Sequence, residues 1–121
     1  MNIVSGNRDP SSFLPLTTVE FEILLSLAAA NRHGYAIMQE VEARSEGALI
    51  LRPGTLYRAI SRLLDDGLIA ELNDAPAPGS DERRRYYRLN PLGRKVLSLE
   101  ARRLARQVSV ARARRLLRGE A

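Results

Sequence analysis

The clearest periodicity in the chain lies between Pro53 and Asp66. Stepping 100° per residue from Thr55 places Leu56, Ala59, Ile60, Leu63 and Leu64 in an arc of roughly 40° to 180°. Tyr57, Arg58, Ser61, Arg62, Asp65 and Thr55 itself fall between roughly 200° and 360°. The spacing predicts a helix with one face for a core and one face free. Pro53 suits its first turn, where a missing N–H is no loss, and Gly67 ends it.

Other segments predict the surroundings of this helix. Thr17 followed three residues later by Glu20 makes a capping box, and "VEFEILLSLAAA" behind it reads as a largely buried helix ending near Ala30. "NRHG" reads as a turn. A second helix runs from about Tyr35 to Arg44, with Ile37, Met38 and Val41 on one face, and Gly47 closes it. The apolar run Leu49 to Leu51 fits either a small strand or a connector. After the third helix, "LIAEL", "DAPAPGSDE" and "RRRYYRL" read as strand, loop, strand, with Tyr87 and Leu89 on one face and Tyr86 and Arg88 on the other. Asn90 is read as the cap and Pro91 as the first turn of a long helix reaching about Leu117.

The expected fold class is therefore mainly α with a small β-hairpin: three helices, a hairpin and one long C-terminal helix. Residues 1–16 show no period and are expected to form a flexible arm from which Phe13, Leu14 and Leu16 can dock on the body. Residues 17–89 form the compact unit and 90–121 the long helix. In that helix Leu97, Ala101, Leu104, Val108 and Ala111 recur at alternating steps of four and three, the spacing of a coiled-coil seam. They are the candidate dimer interface. The alternative is that the seam packs on the chain's own first helix.

Composition narrows the function. At 121 residues the chain has room for one small domain. It has no Cys, so disulfides and thiolate metal sites are excluded. Nothing approaches the roughly 20 apolar residues that would span a bilayer, and no apolar leader follows a basic start, so a soluble cytoplasmic protein with no membrane partner is expected. Asp65 and Asp66 point about 100° apart, a poor acid/base pair. The lone His33 reads as a solvent-facing turn residue. No catalytic constellation, metal site or cofactor loop is present in the pattern, and no enzyme is expected.

The net charge of +5 conceals an asymmetry. From Met1 to Glu82, 6 Lys and Arg oppose 12 Asp and Glu, a net −6; from Arg83 onward 13 oppose 2, a net +11. Nearly all of this basic charge is arginine, which forks onto phosphates and base edges. Nucleic acid is the leading partner, with an anionic membrane surface or a merely solvated basic helix as rivals. The free face of the third helix carries the hydroxyls of Thr55 and Ser61 and the guanidiniums of Arg58 and Arg62, groups that read guanine or hold phosphate. Two helices, a recognition helix and an arginine-flanked hairpin have the layout of a winged helix-turn-helix. A winged-helix module used for protein contacts is the alternative.

"HGYAIMQEV" (His33 to Val41), "PGTLYRAISRLLDDGLI" (Pro53 to Ile69) and "RRRYYRLNPLGRKVL" (Arg83 to Leu97) together resemble the PadR family of bacterial transcriptional regulators. The resemblance covers about Leu16 to Leu99 and is closest to the short subfamily with one helix after the wing. It implies a homodimeric winged-helix regulator, usually a repressor, on an inverted-repeat operator. It also implies DNA contacts by Tyr35, Thr55, Tyr57 and Arg58, with Arg83, Arg84 and Arg85 on the wing. Double-stranded DNA and a second copy of the chain are thus the expected partners. The sequence departs from the family pattern at Arg52, where a small capping residue is common. It also lacks the Trp with which some short members line a cavity for flat aromatic ligands, so a small-molecule effector is possible but not implied.

Overall fold

The computed structural model describes residues 8–72 and 85–117. A short 3-10 turn, Pro10–Phe13, precedes α1 (Thr18–Ala29), β1 (Arg32–His33), α2 (Gly34–Arg44), α3 (Pro53–Asp65), β2 (Ile69–Glu71), β3 (Tyr86–Leu89) and α4 (Pro91–Ala113). The three strands form one antiparallel sheet in the order β1-β3-β2. A helical body with a small antiparallel sheet is the winged-helix arrangement.

Local chemistry explains most of the boundaries. The capping box on α1 is complete: Glu20 donates its N–H to Thr17 Oγ1 at 3.1 Å, and Thr17 donates its N–H to Glu20 Oε1 at 2.9 Å. After α2 the chain passes through positive φ at Glu46 (54°) and Gly47 (82°), and the Gly47 N–H returns to Glu42 O at 2.8 Å. Gly67, at φ 76°, turns the chain out of α3. Leu51 in the expected connector is buried and forms no strand, so "LIL" packs as a connector.

Two local expectations are corrected. "NRHG" is not simply a turn, because Arg32 and His33 pair with Tyr87 and Tyr86 and add a third strand to the expected hairpin. Their extended backbone lies beside the outer edge of β3, whose N–H and C=O groups need partners. His33 is not a solvent-facing residue. It is half-buried, its Nδ1 accepts the Ala36 N–H at 3.1 Å as the N-cap of α2, and its ring stands edge-on to Tyr86 at 5.1 Å. Asn90 occupies the N-cap position of α4 but makes no side-chain cap; its Nδ2 donates to Gly67 O at 3.0 Å, tying α4 to the turn after α3.

The core is built around α1. Ile23, Leu24 and Leu27 meet Ile37 and Val41 of α2, Leu56, Ile60 and Leu63 of α3, Tyr87 of β3, and Val96 and Leu97 of α4. Burying each large aliphatic side chain contributes about 1.5–3 kcal/mol. The helical face read from the sequence of α3 is the one that is buried: Leu56, Ala59, Ile60 and Leu63 are inside and Leu64 is half-buried.

Polar clusters join the helices. Between α1 and α2, the wholly buried Ser26 donates from Oγ to Glu40 Oε1 at 2.5 Å, and Arg44 bridges Glu40 (2.8 Å) and Glu22. The hydrogen bond from Arg44 outweighs burial and, with Ser26 assisting, lowers the Glu40 carboxyl to about 2. On α4, Glu100 is 1% exposed yet fully partnered. Arg103 donates to its Oε1 from Nε at 2.6 Å and to its Oε2 from Nη2 at 3.0 Å, and the Leu16 backbone N–H donates to Oε2 at 2.9 Å.

That last bond anchors the described part of the N-terminal segment. The 3-10 turn packs on α4, with Phe13, Leu14 and Leu16 half-buried against the core. Arg8 lies 3.9 Å over the Phe13 ring and 3.6 Å from Asp66, just beyond α3. The expected docking of Phe13, Leu14 and Leu16 is observed, whereas residues 1–7 of the arm lie outside the described residues.

Candidate nucleic-acid interface

α3 begins with Arg52 at the N-cap position and no side-chain cap, as its replacement of a small capping residue predicts. Its first-turn N–H groups therefore lack that acceptor, and Thr55 is half-buried beside them. Tyr57, Arg58, Ser61 and Arg62 are all exposed on the face opposite the core. The Arg58 side chain folds back along the helix, its Nη1 within 3.5 Å of where a Cβ on Gly54 would stand. No ion pair links Arg58 to another described residue.

α2 contributes a second element to this surface. Tyr35, in its first turn, is 54% exposed. The residue before it, Gly34, is buried beneath the Tyr57 ring, which closes against the bare Gly34 backbone. Tyr57 remains 46% exposed, so its hydroxyl end rests on the start of α2 while the ring keeps an open side. Tyr57 of α3 is thus seated on the first turn of α2, the turn from which Tyr35 projects into the open.

The sheet approaches Tyr57 through Tyr87. Tyr87 is buried, and desolvation followed by the Glu71 carboxylate and Tyr57 pushes its phenol up against the opposing effect of Arg85. Tyr57, Glu71 and Arg85 are therefore each within electrostatic reach of Tyr87. Arg85, at the root of the wing, sits 3.6 Å from Glu71, and Arg62 on α3 sits 3.8 Å from Glu20 on α1. The expected wing contacts Arg83 and Arg84 lie outside the described residues, as does the loop before them.

The coiled-coil seam has two parts in the structure. Leu97 is 6% exposed and belongs to the chain's own core. Leu104 and Ala111 are half-buried, while Ala101 and Val108 are exposed, with Val110, Leu116 and Leu117 also in the open. The seam thus leaves the core near Leu97 and runs outward along α4, whose exposed arginines include Arg102 and Arg106; the helix ends at Ala113, short of the expected Leu117, with Arg114 and Arg115 exposed just beyond it.

Sequence reading did not find Gly34 as the seat of Tyr57, Glu20 and Glu71 as partners of surface arginines, or Glu100 as a buried anchor. Only Glu20 gave a signal, through its capping box, and that signal concerned α1 alone.

Among the described residues no group of His, Asp or Glu could hold a metal ion, and no helix is long and apolar enough to cross a membrane. The model of the transcriptional regulator PadR-like family matches residues 23–99. A protein of Lysinibacillus sphaericus with no characterised role is 32% identical over 76 residues, which cover 63% of this chain and 68% of that protein. A transcriptional regulator from Clostridium thermocellum superposes with a TM-score of 0.67 at 26% identity, over 78% of this chain and 87% of its own. A PadR family transcription regulator from hypervirulent Clostridium difficile has the same fold, with a TM-score of 0.67 at 23% identity over 80% and 97% of the two chains.

Proposed function

Because the chain belongs to the PadR-like family of transcriptional regulators, we propose that it is a sequence-specific DNA-binding regulator, acting in the cytoplasm as a homodimeric repressor on an inverted-repeat operator. α3 enters the major groove, where Arg58 reads a guanine edge, Thr55, Ser61, Tyr35 and Tyr57 serve bases or phosphates, and Arg62 flanks them. Arg83, Arg84 and Arg85 on the wing bind the backbone. The outer seam of α4, Leu104, Val108 and Ala111, with Ala101 at its edge and Leu97 at its root, brings two copies together so that two α3 helices face successive major grooves.

The observation that carries this reading is the two-sided α3. Its apolar face is consumed by the core, while its polar face, with Tyr57, Arg58, Ser61 and Arg62, lies open. A helix packed by one side only, with arginine and hydroxyl groups on the other, has the shape and charge to enter a groove.

Selection of bound duplexes from a random pool tests it directly. A palindromic consensus, with binding that falls steeply as salt rises, is the expected result. Recovery of no preferred sequence would leave the winged helix as a contact module for another macromolecule.

A further inference from the structure

Three arginines on the DNA-facing side differ in their neighbours. Arg58 has no ion-pair partner among the described residues, whereas Arg62 Nε lies 3.8 Å from Glu20 Oε2 and Arg85 Nη1 lies 3.6 Å from Glu71 Oε1. The two carboxylates come from different elements, α1 and β2. Both are more sheltered than the arginines they face: the side chains of Glu20 and Glu71 are 12% and 34% exposed, against 55% and 69% for Arg62 and Arg85. Glu20 is further fixed by its other oxygen, which accepts the Thr17 N–H. Glu20 is held in place, and both arginines, more exposed than their acids, can swing.

We propose that Glu20 and Glu71 are specificity-determining residues that hold Arg62 and Arg85 in check against phosphate, so that non-specific duplex binds weakly while Arg58 stands ready. The inference rests on the DNA-binding role assigned to α3 and the wing. Its physical basis is counterion release. An unpaired arginine that meets a phosphate frees a condensed cation from the DNA, which drives binding at low salt. An arginine that must first leave a carboxylate abandons a negative charge, and that charge recruits a cation from solution. Much of the gain is cancelled. On a random sequence the exchange of carboxylate for phosphate returns little. On the operator, base-edge hydrogen bonds from Arg58 fix the register and hold the phosphates where Arg62 and Arg85 can reach them, so the exchange goes through.

The test uses the full chain with Glu20→Gln, Glu71→Gln, Arg62→Ala, Arg85→Ala and the paired combinations. Binding to a selected operator duplex and to a scrambled duplex of equal length is followed by fluorescence anisotropy across a salt series. Glutamine at position 20 still accepts the Thr17 N–H, so the cap on α1 persists and melting curves should overlay those of the parent. Each glutamine variant is expected to raise affinity for the scrambled duplex by about three- to tenfold and to steepen its salt dependence by up to about 0.9 in log–log slope. Operator affinity should rise less, and the ratio of the two should fall.

Glu20→Gln should have no such effect when Arg62 is already Ala, nor Glu71→Gln when Arg85 is Ala, because the coupling belongs to the pair. An equal gain in those backgrounds, or an equal gain on both duplexes, would mean that only net charge matters and would overturn the proposal. So would unchanged salt slopes in variants of a parent that itself binds DNA in a salt-dependent way. A parent with no salt-dependent duplex binding would instead refute the DNA-binding role, and the proposal with it.

Discussion

Tyr57 rests on Gly34: a Cβ at position 34 would stand 2.2 Å from the Tyr57 hydroxyl oxygen and 2.7 Å from Cζ. The contact joins α3 to the first turn of α2, one residue from Tyr35, and it exists only because position 34 has no side chain. Gly34→Ala is therefore expected to expel the tyrosine ring. Tyr57 is half-exposed and free to swing outward, and alanine favours a helix over glycine by about 0.5–1 kcal/mol, so stability should change little. Operator affinity should fall by on the order of 1.5 kcal/mol if the phenol holds a phosphate. Tyr57→Phe should lose a similar amount, and the double variant should lose no more than either. Full affinity in Gly34→Ala would remove Tyr57 from the contact set.

Arg58→Ala is expected to cost about 1–3 kcal/mol on the best operator and to relax preference at one base position. Arg85→Ala should leave the consensus unchanged and flatten the salt dependence on the operator, with a smaller loss on scrambled duplex, where Glu71 already holds Arg85 back. Repeating the duplex selection with each variant separates the two behaviours. An unchanged consensus and affinity for Arg58→Ala would move base reading to another residue.

Replacing both Leu104 and Val108 with Glu should yield monomers. Val108 is 45% exposed and Leu104 half-buried in the single chain, so the change spares the core that holds Leu97. Operator affinity should collapse with the loss of one half-site, while affinity for a single half-site should persist. Sedimentation velocity of the folded variant checks the assembly, and an unaltered dimer would place the interface elsewhere.

Acid should unfold the chain in a window set by Glu40 and Glu100. Arg44 lowers the Glu40 carboxyl from its ordinary 4.5 to about 2, and Arg103 lowers that of Glu100, in each case against the opposing effect of burial. Because the folded values lie below the unfolded ones, the unfolded chain takes up these protons first as pH falls. The stability they contribute is complete above the ordinary carboxyl range and is lost between 4.5 and, for Glu40, about 2. Urea midpoints should fall through that window, and Glu40→Gln should flatten the fall at the cost of lower stability near neutrality. A midpoint in the parent chain that does not move with pH would show that the paired carboxylates contribute nothing.

Cutting the anchor at Glu100 should release the N-terminal segment. Glu100→Ala leaves the Leu16 N–H without its acceptor and Arg103 without its partner, a loss of about 1–3 kcal/mol. Proteolysis should then begin ahead of α1, before the rest of the chain opens. Unaltered resistance of that segment would mean that Phe13 and Leu14 hold it unaided.

The sequence by itself determined the order of helices, the inward face of α3, the alternation of Tyr86 and Tyr87, and the caps and stops at Thr17, Glu20, Pro53 and Gly67. These are short-range matters: a capping box closes within three residues, helical spacing repeats every 3.6, and strand faces alternate every two. The family resemblance was legible for the same reason, since its motifs are contiguous stretches. What tertiary structure decided are relationships across long intervals. Leu16 meets Glu100 across 84 residues, Glu20 meets Arg62, Gly34 seats Tyr57, and residues 32–33 become a strand only because β3 arrives beside them with unpaired backbone groups. None of these has a local signature. A buried glutamate in an arginine-rich helix looks like one more solvated charge until the chain folds another backbone N–H against it. Asn90 had the composition of a helix cap and was drawn instead to the Gly67 carbonyl, because packing had already placed that acceptor within 3.0 Å.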